Sequence, residues 1–287
     1  MSRLNVVTAD RNSKDLEALY LHIRNSAELD HFTLIFDDFV EQLSSRKEIS
    51  VNATATRLSE MLAGHTYTNM HDAYKGRNPS GKNLYWYNKR KEIERRLGFG
   101  KDRASIYYGA LNTGNVGVQQ YGPYCLVLAE KSSAHAYDLA KNTSFLPTDS
   151  YSYVFTWKAV SMPLGQPTRP FLKDMAVWEN VGYLAVIKFY RVIKEHYTQF
   201  SEPELNNLIL EPFRPDFIEA QMYLPQSFGI EDVKEVRVTN RHYQKIKQLR
   251  DKKKLPGVTL DPVEEVALKE EAIIHGLWRR GISLTIL

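Results

Sequence analysis

Hydrophobic and polar positions recur with two different periods along this chain, and the change between them marks a helical front, a β-rich middle and a helical tail. Residues 13–46 carry the helical period. Leu16, Leu19, Tyr20 and Ile23 fall on one stripe behind Ser13, a suitable N-cap. Phe32, Ile35, Phe36, Phe39, Val40 and Leu43 form the stripe of a second helix, with Asp30, Asp37, Asp38 and Glu41 between them as a solvated face. Residues 52–62 read as another short helix, ending near Gly64. Residues 65–71 alternate, and their Tyr and Thr content favours a strand. Residues 74–81 are rich in Gly, Pro, Asn and Ser and read as a loop. Residues 83–98 predict a helix stopped by Gly98, with Leu84, Tyr87, Ile93 and Leu97 on its apolar side.

From Arg103 the period shortens. Residues 106–112 and 121–128 are strand-like and flank a Gly/Asn turn at 113–117, which predicts a hairpin or two neighbouring buried strands. Gly109 and Gly122, inside these runs, mark a bulge or a close backbone approach. Residues 142–153, rich in hydroxyls and turn formers, and 163–170 read as loops; 174–186 reads as helical, and 181–192 fits either helix or strand. The most informative run is 217–225, one strand long. Ile218, Ala220, Met222 and Leu224 point to one face, which reads as the core. Phe217, Glu219, Gln221 and Tyr223 point to the other. On pattern alone this is a strand with a polar outer face. It is also a carboxylate able to bind a hydroxyl pair or to stabilise a developing cation. Beyond it come a turn and strand at 229–238 and helices at 241–254 and 262–280.

Composition narrows the chemistry. The 287 residues are 43% hydrophobic and 25% charged, enough for a sizeable core and suited to one large domain with a helical extension. Net charge is +4, which permits an anionic partner without demanding one. The single Cys125 excludes an internal disulfide and a Cys-rich zinc site, and fits a reducing, cytoplasmic setting. No stretch approaches the roughly 18 apolar residues of a membrane span, so no membrane partner is expected. The eight His residues are scattered, and no metal site is expected. Basic residues gather on two helices. Lys89, Arg90, Lys91, Arg95 and Arg96 lie on the first, and Arg241, Lys245, Lys247, Arg250, Lys252, Lys253 and Lys254 on the second. Such faces are commonly only solvated, but they suit phosphates.

Three stretches, in order, resemble the mono-ADP-ribosyltransferase superfamily, in particular its bacterial toxin-like branch. They are Tyr67 to Gly81; Arg103 with Tyr107-Tyr108-Gly109-Ala110-Leu111-Asn112 and Tyr121 to Leu128; and Glu219-Ala220-Gln221 with Gly229 to Val233. The resemblance implies an α+β fold with a split β-sheet core: an N-terminal helical region (1–64), a catalytic domain (65–240) and a C-terminal helical extension (241–287). It implies NAD as substrate, Glu219 as the catalytic carboxylate and Gln221 beside it. Thr148, Ser150 and Ser152 become the hydroxyl candidates for the nicotinamide pocket. Tyr67, Tyr74, Tyr108 and Tyr223 become stacking candidates for nicotinamide or adenine, though such rings more often pack a core. Where the family carries an Arg on its first strand this chain has Thr68, so Arg103, His71 and Arg77 are the candidates for that contact. Family members often carry Gln or Glu two residues before the catalytic Glu, where this chain has Phe217. The resemblance further implies a toxin or defence effector, an acceptor that is a protein or a nucleic acid (RNA or DNA), and a neutralising antitoxin or immunity protein. The competing reading is a nucleic-acid-binding module without catalysis.

Overall fold

The strand at the centre of the sheet lies between the 13–46 and 52–62 stretches read as helix, and takes its last two residues, Asn52 and Ala53, from the second of them. The computed structural model describes residues 13–29, 32–75, 80–97, 99–132, 137–152, 175–196, 205 and 217–287. In it, β1 (Glu48–Ala53) pairs antiparallel with β2 (Ile106–Asn112) on one side and with β3 (Tyr124–Leu128) on the other. β4 (Thr143–Leu146), β5 (Ala176–Val177), β6 (Glu219–Tyr223), β7 (Val233–Val238) and β8 (Ser283–Ile286) complete an eight-stranded sheet in the order β5-β4-β6-β2-β1-β3-β7-β8. The fold is therefore α+β. The split core expected from the resemblance is not what these strands form: β1 bridges β2 and β3, and all eight are hydrogen-bonded into one sheet. For the same reason the division expected at residue 64 cuts between strands of a single sheet. The 106–112 and 121–128 runs are strands, but not a hairpin, because β1 lies between them.

The two faces of the sheet differ in chemistry. On one, Ile49, Leu111, Leu126, Phe145, Ala220, Met222 and Val236 are buried in the main core. Helices α1 (Ser13–Leu29), α2 (Thr33–Arg46) and α5 (Val181–His196) contribute Leu16, Phe36, Phe39, Leu43, Val181, Leu184 and Ile193 to that core. Short α3 (Ala55–Leu62) starts where the Thr54 hydroxyl accepts from Arg57 N and ends the strand before it. The other face carries Ser50, Asn52, Asn112, Ser144, Glu219, Gln221 and Arg237, all buried. A smaller apolar cluster of Ile93, Leu97, Phe99, Ile106, Leu146, Met175 and Val177 seats α4 (Gly81–Arg96) beside this polar face. The ambiguous 181–192 segment is helix, and 65–71, expected as a strand, has no regular structure over 65–69 and enters one helical turn at Met70–Ala73.

The tail returns to the sheet. α6 (Asn240–Lys253), α7 (Pro262–Leu268) and α8 (Glu271–Arg279) make the crossover that lets β8 run parallel to β7. The C-terminal strand thus closes an edge of the sheet. Among the described residues, no helix is long and apolar enough to cross a membrane.

Buried Asn52 fixes the segment between β2 and β3. Its Nδ2 donates to Val116 O (3.1 Å) and Gly122 O (2.9 Å), and its Oδ1 accepts from Val118 N (2.7 Å). Gly122 has φ 145° and lies so close to β1 that a Cβ there would stand 2.2 Å from Ala53 O, which is the close approach its position suggested. Replacing Asn52 with Leu, of similar size, leaves three backbone groups without partners, at about 1–3 kcal/mol for each group that water does not reach. Asn52→Leu is therefore expected to lower stability in urea by roughly 3 kcal/mol. An unchanged denaturation midpoint would show that the loop is held by other contacts.

Candidate active site

Glu219 opens β6 with Ala110 opposite it on β2 and Leu146 opposite it on β4. Two residues on, Gln221 stands between Tyr108 and Ser144. The strand period places both side chains on the polar face, as the alternation requires. The sheet is covered there, so Glu219 is only 3% exposed. A turn at Ser150–Ser152 follows β4 and brings Ser150 over the carboxylate. Ser150 N donates to Glu219 Oε2 (2.9 Å), and the Ser150 hydroxyl donates to Oε1 (2.5 Å). Gln221 Nε2 also donates to Oε1, at 3.0 Å. The carboxylate is thus fixed by three donors and cannot rotate freely.

The cation of the site comes from α4. Arg90 Nη1 donates to Ser150 Oγ (3.1 Å), and its guanidinium lies over the Tyr108 ring, 4.2 Å from the centroid. A relay therefore runs from Arg90 through the Ser150 hydroxyl to Glu219. One helical turn further along α4, Glu94 Oε1 accepts from the Tyr108 hydroxyl (3.2 Å), and Glu94 Oε2 lies 2.5 Å from His71 Nε2. Burial raises the Glu219 pKa above its ordinary 4.5, and Arg90, Ser150 and Gln221 pull against that shift. For Arg90, burial opposes the charge, but Tyr108, Glu219 and Glu94 together raise its pKa. Tyr108 is pushed well above its ordinary value, chiefly by burial. The site is thus a permanent cation beside a carboxyl group that ionises reluctantly.

These groups share one cavity of about 350 Å³. β1 and β2 contribute residues 50–52 and 106–110, and Tyr67, His71, Arg90, Glu94, Tyr121 and Glu219 complete the ring around it. Tyr67 is stacked on Phe228 (4.7 Å between centroids, 14° between planes), and its N–H donates to Phe228 O (2.7 Å). That bond anchors the 65–69 segment at the cavity rim.

Of the sequence-derived candidates, Glu219, Tyr67, His71 and Tyr108 line the cavity. Ser150 and Gln221 reach it through their bonds to Glu219. Thr148 is buried close by in sequence, but it is Ser150 that bonds the carboxylate; nothing is described for the Ser152 side chain. Arg77 lies outside the described residues. Arg103 needs correction: it is exposed on the 3₁₀ turn Gly100–Ser105 and is absent from the cavity wall. Arg90, which was not among the candidates, lines the cavity. It and Glu94 were missed because the basic side of residues 83–98 reads as solvated. The available signal was their spacing of one helical turn, next to Ile93 and Leu97 of the buried stripe.

Comparison with known proteins gives no family whose sequence model matches this chain and no curated protein similar to it.

Proposed function

We propose that this protein is an NAD-dependent mono-ADP-ribosyltransferase acting on a protein or nucleic-acid acceptor. The observation that carries this reading is the buried Glu219, fixed by Ser150 and Gln221 beside Arg90 in the wall of an aromatic-lined cavity. The cavity volume falls within the range of about 300–1,000 Å³ typical of small-molecule sites. Arg90 supplies the positive charge that a pyrophosphate needs, and Tyr67 and Tyr108 supply faces for nicotinamide or adenine. Breaking the C–N bond between ribose and nicotinamide sends the bonding pair to nicotinamide and leaves positive charge on the ribosyl carbon. Glu219, once ionised, stabilises that charge and accepts a hydrogen bond from a ribose hydroxyl. Ser150 and Gln221 hold the carboxylate so that no reorganisation is needed when the charge develops. The acceptor nucleophile then forms the new bond to that carbon and gives up its proton. An enzyme of this class would act as a toxin or defence effector restrained by an antitoxin or immunity protein.

The test is release of nicotinamide from NAD by the purified protein across pH. Protonated Glu219 cannot stabilise the ribosyl cation, so the rate is expected to rise with pH as the group ionises. The folded-state pKa is raised, so the midpoint of this limb lies above 4.5. The same shift means that Glu219 contributes to stability at acid pH and ceases to do so as pH rises through its folded pKa. No nicotinamide release at any pH would sink the transferase reading. It would favour a nucleic-acid-binding module, the second reading that the exposed aromatics of α4 support.

A further inference from the structure

Beside the cavity, α4 and the Ser150–Ser152 turn expose aromatic rings that the core does not use. Tyr85 is 51% exposed, Trp86 44% and Tyr151 37%. They form one patch: Tyr85 meets Trp86 edge-on at 5.3 Å, and Trp86 meets Tyr151 at 6.2 Å. The patch is continuous with the candidate active site. Trp86 lies one helical turn before Arg90 on α4, and Tyr151 directly follows Ser150, which bonds both Arg90 and Glu219. Tyr121, also exposed, lines the cavity itself.

The charge beside the rings has one sign in excess. α4 carries Lys89, Arg90, Lys91, Arg95 and Arg96 against Glu92 and Glu94. Lys89 Nζ lies 5.7 Å from the Tyr85 centroid and Lys91 Nζ 4.2 Å from that of Tyr87. Exposed rings interleaved with cations match a chain of flat bases joined by phosphates. A duplex hides its base faces, so the match is to a single strand. A peptide acceptor would call for aliphatic pockets and backbone partners, and among the described residues of α4 and the Ser150–Ser152 turn Leu84 is the one exposed large aliphatic side chain.

We propose that Tyr85, Trp86 and Tyr151 form the docking surface for a single-stranded nucleic acid, which is the acceptor of the transferase. The acceptor role rests on the transferase reading; the binding does not. A stacked base here sits next to the mouth of the cavity, so its own or a neighbouring nucleotide presents the nucleophile.

Fluorescence anisotropy with short, mixed-sequence DNA and RNA oligonucleotides tests the surface without NAD. Single strands are expected to bind more tightly than duplexes, with affinity falling linearly in log–log form as salt rises. The double variant Trp86→Ala/Tyr151→Ala is expected to weaken binding by about 10-fold or more, as loss of base stacking requires. Trp86→Phe keeps a ring and should restore much of it. Both positions are exposed, and unchanged melting temperatures would establish that the variants fold. A second double variant, Lys253→Ala/Lys254→Ala at the C-terminal end of α6, controls for charge alone and is expected to bind within about twofold of wild type. The surface is overturned if the double aromatic variant binds as wild type does, or if the α6 variant loses as much. Label from NAD entering proteins but not oligonucleotides overturns the acceptor role. Absence of nicotinamide release counts against the transferase reading instead and leaves the anisotropy result to decide the surface.

Discussion

Glu219→Gln is expected to reduce nicotinamide release and ADP-ribose transfer by about 100- to 1,000-fold while the protein stays folded, since one preorganised electrostatic group contributes on that order. The neutral amide keeps one oxygen to accept from the Ser150 N–H, and its NH2 can donate to the Ser150 hydroxyl oxygen in place of Oε1, but it cannot balance positive charge on a ribosyl carbon. Folding should tolerate the change. Burial raises the Glu219 pKa, which means that the ionised carboxylate costs folding free energy at neutral pH. Removing that charge therefore offsets the less favourable contact between the new amide group and Gln221 Nε2. The acidic limb of the pH profile should vanish with the carboxylate. A variant that keeps wild-type turnover would remove Glu219 from the chemistry. A variant that fails to fold would assign it a structural role.

Arg90→Ala is the second large effect. Arg90 touches both the Tyr108 ring and the Ser150 hydroxyl, and its charge opposes the upward shift of Glu219. Without it the Glu219 pKa rises further, so the acidic limb of the rate moves to higher pH. Loss of the contacts over Tyr108 is expected to cost about 2 kcal/mol of stability. NAD affinity should fall by about 100-fold if the guanidinium holds the pyrophosphate, as truncating a buried charged partner costs about 2–5 kcal/mol. Arg90→Lys should recover only part, because an ammonium can neither stack on Tyr108 nor reach Ser150 and a phosphate together in a fork.

The strand around Glu219 was legible because its alternation is complete: four apolar side chains on one face, two polar and two aromatic on the other. The face on which Glu219 falls followed directly from the period. Its burial did not, because burial depends on α4 and on the Ser150 turn, which are distant in sequence. β1 escaped for a different reason. Its six residues alternate, with Ile49, Val51 and Ala53 toward the core and Glu48, Ser50 and Asn52 on the other face, but the run is short and its last two residues merge into the 52–62 stretch read as helix. β4 lay hidden in a hydroxyl-rich stretch, where Thr143 and Ser144 are fully buried between two strands. β8 follows a basic helical tail and pairs parallel with a strand far earlier in the chain, a contact that no local pattern encodes. Arg90 was the costliest omission. A cation on a helix with several others looks solvated until the tertiary fold turns one of them inward.

The central claim is that the cavity holding Glu219 and Arg90 is an NAD site, and melting temperature against NAD concentration tests it most directly. A ligand bound only by the folded state stabilises it by about 2.7 kcal/mol at 100 times its Kd. Wild type should therefore melt progressively higher as NAD is added, and Arg90→Ala should need far more NAD for the same rise. A wild-type melting temperature that does not move at millimolar NAD would contradict the account.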